Sequence, residues 1–259
     1  MNVAVCVKQI PDTAMPPALD PRDHTLVREG KLIMDESDSY GVEMGLQLVE
    51  VAGGGEVSLV SMAPNSATSG LRTALATGAV KAILVSDPVL AGSDALGTAK
   101  VLAAAIARLG PDLVLAGTES TDGYVGTTPV QVAELLGWPS VSFAKHVKIS
   151  DGLLRIQRQT EAGYEEVTCP LPAVVTVTSG VVEPRYPSFK GIAAAKSKPV
   201  EELTVADLGL DPSQVGFAGA RQQVISVEAA EARAAGEIVV DKGDAHERVL
   251  GFLEQLKIL

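Results

Sequence analysis

Between Asn2 and Leu136 the chain alternates four times between a short β-branched run and a stretch with helical spacing of apolar side chains. That alternation leaves little choice of architecture. Strands joined through helices run parallel, and a parallel sheet must be covered on both faces. Asn2–Ile10 reads as the first and central strand, closed by Lys8 and Gln9, with Pro11-Asp12-Thr13 turning the chain away at its carboxyl end. Ala14 to Glu29 is rich in proline and charge and reads as a surface excursion. Met34 to Ser39 offers several N-cap candidates before a helix with Val42, Leu46 and Val49 on one face, stopped by Gly53-Gly54-Gly55. Glu56–Met62 is the second strand. Ser66 is the expected cap of a helix that turns Leu71 and Leu75 inward and ends at Gly78. Val80–Val85 is the third strand, and Ser93 or Asp94 starts a helix carrying Leu102, Ile106 and Leu109.

The fourth unit holds the main candidate site. Leu113–Ala116 is a short apolar run ending at Gly117, and a helix with Val125, Val132 and Leu136 on one face follows. Proline suits the first helical position, so the pattern predicts Thr128 as N-cap and Pro129 as the first helical residue. The loop between, Thr118 to Thr128, is longer than most strand-to-helix connections, which favours a ligand over a plain turn. Gly117, Gly123 and Gly126 allow close backbone approach, and Ser120, Thr121, Thr127 and Thr128 supply hydroxyls. Free N–H groups and the positive end of the helix make an anion site. The loop is neither a Walker A loop nor a G-x-G-x-x-G turn, so on these residues it is an adenine-nucleotide-sized anion site of low specificity. In open parallel sheets, ligands sit beyond the carboxyl ends of the strands. The Pro11–Thr13 turn, the Met34–Asp38 loop, the turn after Met62 and the Gly117–Thr128 loop all belong at that edge.

After Trp138-Pro139 the rhythm changes. Ser140–Ile149, Leu153–Thr160, Tyr164–Cys169 and Ala173–Thr178 are four strand-like runs without helices between them, two of the connections being hairpin turns at Asp151-Gly152 and Glu161–Gly163. They predict an antiparallel extension. From Ser179 the chain is irregular, with Arg185, Lys190, Lys196 and Lys198 clustered around an isolated Phe189. This segment reads equally as a solvated crossover and as an exposed docking surface. Leu208 to Glu237 has little core potential and reads as an arm, and Asp244 to Leu256 as a final helix with Val249, Phe252 and Leu256 on one face. The expected organisation is an α/β nucleotide-binding domain over 1–200 with a β extension at about 140–180, then a C-terminal arm over 201–259.

Composition closes off several classes. With 32 acidic and 21 basic residues the net charge is -11, which disfavours sequence-independent binding to nucleic acid or anionic lipid. No apolar run is long enough to span a membrane, and Met1 leads straight into a strand, leaving no room for a signal peptide. Cys6 and Cys169 sit in apolar segments and read as reduced packing residues of a cytoplasmic protein; three scattered histidines do not suggest zinc.

Four stretches together resemble the β subunit of electron transfer flavoprotein: VAVCVKQIPDT at the start, LRTALATGAVKAILV from Leu71, the Gly117–Thr128 loop with its helix, and LPAVVTVTSGVVEPRYPSFKGIAAAKSK from Leu171 to Lys198. The match runs in order over roughly residues 1–210. The resemblance implies a parallel α/β domain with a β extension and an arm around a second, α subunit. It implies that the α subunit holds most of a redox FAD while the β subunit buries AMP. Electrons would come from flavin dehydrogenases such as the acyl-CoA dehydrogenases of fatty acid β-oxidation. They would leave to a membrane quinone oxidoreductase and the respiratory chain.

Family AMP contacts fall on Cys6, Asp35, Glu36, Ser37, Asp38, Met62, Gly117, Asp122, Gly123, Val125, Gly126, Thr127 and Thr128. Pro11, Asp12 and Thr13 match the part that approaches the flavin. Arg185, Tyr186, Pro187, Phe189, Lys190, Ile192 and Lys196 match the dehydrogenase-docking loop, with Phe189 at the anchor position where family members often carry Leu. Electron-bifurcating relatives place a second FAD in the AMP site. A different class, an adenine-nucleotide hydrolase or synthetase, shares the sheet architecture. It would need a Gly-rich phosphate loop after the first strand, where this chain has Lys8-Gln9-Ile10-Pro11-Asp12. No nucleophile–His couple or metal set accompanies Glu119 and Asp122, which read as loop-solvating groups rather than acid and base.

Overall fold

Alternation of side chains along β1 (Asn2–Cys6) shows how the molecule is layered. Val3 and Val5 point into one apolar cluster and Ala4 into another, on opposite faces of the strand. The same split holds for β6 (Leu113–Gly117), where Leu113 and Leu115 face one cluster and Val114 the other. A strand buried on both faces needs helices on both sides, and the computed structural model supplies them. It describes residues 1–228, 230, 236 and 238–259. The chain divides into two compact units, Met1–Val224 and Ile225–Leu259.

In the first unit the elements run β1, β2 (Gln9–Pro11), β3 (Leu32–Met34), α1 (Glu36–Val51), β4 (Glu56–Met62), α2 (Ser69–Thr77), β5 (Lys81–Val85), α3 (Ala95–Leu109), β6, α4 (Thr128–Leu136), β7 (Ser140–Ser150), β8 (Leu153–Thr160), β9 (Gly163–Pro170), β10 (Ala173–Val177), α5 (Phe189–Ala195), β11 (Val200–Leu203) and α6 (Gly216–Gly219). Nine strands form one sheet in the order β11-β5-β4-β1-β6-β10-β7-β8-β9, and β2 pairs with β3 in a separate two-stranded ladder. From β11 to β7 every pairing is parallel; β7-β8 and β8-β9 are antiparallel. Helices α1, α2 and α5 cover one face, α3 and α4 the other. The fold is the expected parallel α/β sheet with an antiparallel extension.

Several local expectations need correction. Asn2–Ile10 is not one strand: β1 ends at Cys6, and Gln9–Pro11 leaves the sheet to pair antiparallel with Leu32–Met34. The buried Gln9 amide explains the break. Its Nε2 donates to Ala67 O at 2.6 Å and its Oε1 accepts from Gly70 N at 2.9 Å, which ties the ladder to the start of α2. Ser66 does not cap α2; Thr68 holds that position. Of the two candidates for α3, Asp94 is the cap, accepting from Gly97 N at 2.8 Å.

Thr127, not Thr128, is the N-cap of α4, so Pro129 is its second residue. Val125 lies in the loop and is exposed, while Val132 is buried. Ala173–Val177 is not part of the antiparallel extension. It lies between β6 and β7, parallel to both, because five fully buried residues, AVVTV, suit an interior strand. The antiparallel part is β8 and β9, hung on β7 beyond an irregularity at Phe143, a residue with φ +61° next to the register shifts.

The chain past residue 200 is more than an arm. Val200–Leu203 is the edge strand beside β5, and Val205 and Val215 are buried in the α3 cluster with Leu208 and Leu210 packed against it. Within the expected Leu208–Glu237 arm, residues 229, 231–235 and 237 lie outside the described residues. In the second unit α7 (Ala245–Gln255) forms as expected, and Val249, Phe252 and Leu256 are each more than half exposed. Among the described residues no helix is long and apolar enough to cross a membrane.

Candidate functional site

β1 and β6 lie side by side, and the chain leaves them in opposite directions across the sheet, from β1 to β4 on one side and from β6 through α4 to β7, past the position of β10, on the other. This is the switch point of an open α/β sheet, where the two connections diverge and leave a crevice. Three segments meet there: Cys6 to Lys8 after β1, the first turn of α1, and the loop after β6. Asp35 caps α1, accepting from Ser37 N at 3.1 Å and Ser37 Oγ at 2.8 Å. Its other oxygen accepts from Thr121 N at 2.7 Å and Thr121 Oγ1 at 3.1 Å. One fully buried carboxylate therefore joins the helix start to the loop. Ser37 Oγ adds a bond to Glu119 O at 3.3 Å.

Asp38 lies one turn on, at the ends of β1 and β6. It accepts from Lys8 N at 2.6 Å and from the Gly117 backbone N–H. Burial, assisted by the neighbouring Asp35, pushes its pKa up to about 8 against those two donors. Asp38 is thus largely protonated at neutral pH. A Cβ at Gly117 would crowd Ser37 Oγ at 3.0 Å and Asp38 Oδ1 at 3.1 Å, so glycine lets the α1 start and the end of β6 approach closely. Burial also pushes the Cys6 thiol up to about 12, with Asp38 adding to it, so Cys6 is a packing group and no nucleophile.

Asp122 sits between two cations. Lys8 Nζ meets Oδ1 at 2.6 Å and Arg28 Nη2 meets Oδ2 at 2.5 Å, and Lys8 also donates to Ser120 Oγ at 2.9 Å. Burial works to raise the Asp122 pKa, but the two cations outweigh it and hold the carboxyl below its ordinary range. The trio carries one positive charge over, in a protein that is acidic as a whole.

Neither cation belonged to the expected site. The sequence pattern makes Lys8 the close of a strand and puts Arg28 in a surface excursion. Lys8 carried a faint signal, a charge at the carboxyl end of a central apolar run. Arg28 carried none, being 94 residues from its partner. The same carboxylate excludes the acid–base reading of Asp122, because it is fixed by two ion pairs.

Other expected contacts are spread wider. Met62 ends β4 one strand over. Gly123, Gly126, Thr127 and Thr128 lie along the loop toward α4. Thr127 Oγ1 accepts from Gln131 Nε2 at 3.3 Å, and the buried Gln131 Oε1 acceptor has no partner among the described residues. The α4 N-terminus thus presents the Thr127 and Thr128 hydroxyls beside the N–H groups of its first turn. A cleft of ≈ 740 Å³ adjoins the loop, walled by Ser37, Thr118–Thr121, Tyr124, Phe143 and Arg158 among others. Of the expected family contacts Ser37 lines it, together with the loop hydroxyls Ser120 and Thr121. Pro11 ends the β2–β3 ladder, Asp12 follows it and pairs with Lys31 at 3.4 Å, and Thr13 is exposed beyond. Both cysteines are free, and among the described residues no three His, Cys, Asp or Glu groups converge on a metal position.

The sheet, its switch point and the glycine-bearing loop define a parallel α/β protein of the nucleotide-binding type. Residues 23–208 match the family model described as the electron transfer flavoprotein domain. The electron transfer flavoprotein subunit beta of Mycobacterium tuberculosis is 39% identical over 264 residues, covering all of this chain and 99% of the relative. The subunit beta of Thermoanaerobacterium thermosaccharolyticum is 36% identical over 99% of this chain and 98% of its own length. A caffeyl-CoA reductase-Etf complex subunit, CarD of Acetobacterium woodii, is 35% identical over 98% and 96%. The chain belongs to the electron transfer flavoprotein β-subunit family. It is one subunit of an electron carrier, implying an α-subunit partner.

Proposed function

We propose that this chain holds AMP at the switch point, helps its α subunit hold FAD, and docks flavin dehydrogenases through the segment Pro184–Lys198. The observation that carries the reading is the state of Phe189, which is 95% exposed at the start of a helix anchored to the body of the protein. With Tyr186 and Ile192 exposed in the same segment, Phe189 belongs to an apolar patch of the kind that a partner covers. Ser188 caps that helix through Gly191 N at 3.0 Å, so the anchor sits on a defined turn. Lys190 and Lys196 are exposed nearby and would steer an acidic partner surface.

At the nucleotide end, Asp38 as a neutral carboxyl does not repel a phosphate, and Lys8 and Arg28 leave the loop positive. Thr127, Thr128 and the free N–H groups of α4 receive the phosphate, and the α1 side, crowded by Asp35 and Asp38, faces the uncharged part. FAD supplies the redox chemistry when bound; the residues here position, exclude water and orient. Pro11–Thr13, at the end of the β2–β3 ladder, is the part offered toward the flavin. Electrons would pass from dehydrogenases such as those for acyl-CoA to a quinone oxidoreductase of the respiratory chain, in the cytoplasm. The exposed apolar face of α7 is consistent with an arm that closes on the α subunit.

A second reading is favoured by the likeness to CarD, a subunit of a reductase–Etf complex. It places a second FAD where AMP would sit, as in electron-bifurcating carriers. Releasing the cofactors from the purified heterodimer and quantifying them separates the two. One FAD and one AMP per heterodimer is expected; two FAD and no AMP establishes the second reading.

A further inference from the structure

The proposed docking segment is clamped at both ends by charged groups of the protein body. Arg185 lays its guanidinium on Glu43 as a fork, Nε to Oε2 at 2.6 Å and Nη2 to Oε1 at 3.0 Å, and its backbone N–H reaches Oε2 at 3.3 Å. Nη1 and Nη2 also reach Glu50 Oε1 at 3.3 Å. Glu43 stands midway along α1 and is only 4% exposed, steadied on its other side by Gln47 Nε2 at 2.8 Å. Burial acts to raise the Glu43 pKa, but the bonds from Arg185 and Gln47 prevail and hold it below the usual glutamate range. A buried carboxylate with this single cationic fork is a fixed point, and planar Arg–carboxylate pairing fixes orientation as well as distance.

At the far end Arg72 Nη1 donates to Ala195 O at 2.7 Å and to Lys198 O at 2.6 Å. Lys198 Nζ in turn donates to Leu75 O and Ala79 O, both at 2.7 Å, around the end of α2. Gly191 lets α5 lie on α2, since a Cβ there would fall 2.3 Å from Ala76 O. Between the clamps Tyr186 and Phe189 are 93% and 95% exposed.

We infer that Glu43, buried in the body of the protein, is a positioning residue for docking: by fixing Arg185 it fixes the start of the segment and presents Phe189 in one place before a partner arrives. Arg185, read from the sequence as a docking charge, is instead committed to the body, which leaves Lys190 and Lys196 for steering. The inference rests on the reading of Pro184–Lys198 as the docking surface. Its physical content is preorganisation. A segment already ordered loses less freedom on association, so loosening it weakens association without touching the electron-accepting step.

The test uses the heterodimer and compares wild type, Glu43→Gln, Arg185→Gln and Phe189→Ala, alone and combined. Two quantities are read: amide hydrogen exchange over residues 184–192, and the KM and kcat of reduction by a partner acyl-CoA dehydrogenase. Glu43→Gln and Arg185→Gln should each speed exchange in 184–192 by tenfold or more and raise KM roughly 3- to 10-fold with kcat unchanged. The pair together should do no more than either alone, and neither should matter once Phe189 is Ala. Glu43→Gln keeps the side chain's size; if it fails to fold, the half-exposed Arg185→Gln carries the test. Unchanged exchange overturns the inference. So does faster exchange with unchanged KM while Phe189→Ala impairs docking, and in that case the docking reading survives. Phe189→Ala without effect on KM removes the docking reading itself, and this inference with it.

Discussion

Asp38 is where burial and charge most plainly oppose each other. Its carboxyl is pushed to about 8 in the folded chain, against 3.8 as the reference value. Between those pH values the folded state binds the proton and the unfolded state does not. Stability from this group is therefore full at low pH and falls as pH rises toward 8, by at most about 1.4 kcal/mol per pH unit. Asp38→Asn should remove that slope, so the variant's melting temperature should gain on wild type steadily from pH 5 to pH 8. A constant difference across that range would mean that Asp38 is ionised throughout. Phe189 belongs to the same scale, because one exposed ring accounts for the docking proposal. Burying it in a pocket is worth about 1.5–3 kcal/mol. Phe189→Ala should weaken dehydrogenase docking roughly 10- to 100-fold, with flavin content and melting temperature unchanged. Its 95% exposure means that nothing in this chain loses packing when it is removed.

Helix α4 and its leading loop behave as a unit. The cap residue Thr127 makes no side-chain capping bond, so replacing it costs the helix little. If Thr127 and Thr128 hold a phosphate, Thr127→Ala with Thr128→Ala should lower AMP retention at least tenfold, each bond to a charged group being worth roughly 1.5–3 kcal/mol. The heterodimer should then melt earlier without added AMP and recover with it. Equal AMP content in the double variant would put the phosphate elsewhere. The β1–β2 break is the other element-scale lesson. Within Asn2–Ile10 the apolar run Val3–Val7 is followed by Lys8 and Gln9, and periodicity has no means of showing that Gln9 turns away to bond with Ala67 and Gly70, some 60 residues later.

At the scale of the molecule, both core clusters are built from residues between Val3 and Val215. A chain ending at Val224 should therefore melt cooperatively near the temperature of the full chain, by calorimetry. Loss of the transition would show that the second unit is needed for the first to fold. The chain purified alone should carry no visible flavin absorbance and become yellow only with an α subunit, since the fold offers a nucleotide switch point without a dinucleotide fingerprint.

What the sequence determined by itself was whatever depends on neighbours along the chain: the strand–helix alternation, the parallel sheet, the glycine loop after β6, the hairpin of β8 and β9, and the family. Hydrophobic spacing and turn chemistry act over a few residues and leave their mark there. Only the tertiary structure decided what depends on distant groups meeting. It placed Ala173–Val177 inside the sheet, which reads as a strand of either kind until its neighbours β6 and β7 are known. It brought Lys8 and Arg28 onto Asp122 and raised the Asp38 pKa by burying it. It also turned Arg185 from a free charge into half of an ion pair with Glu43, 142 residues away in the chain. Charge pairing and burial are properties of three-dimensional proximity, and no local pattern encodes them.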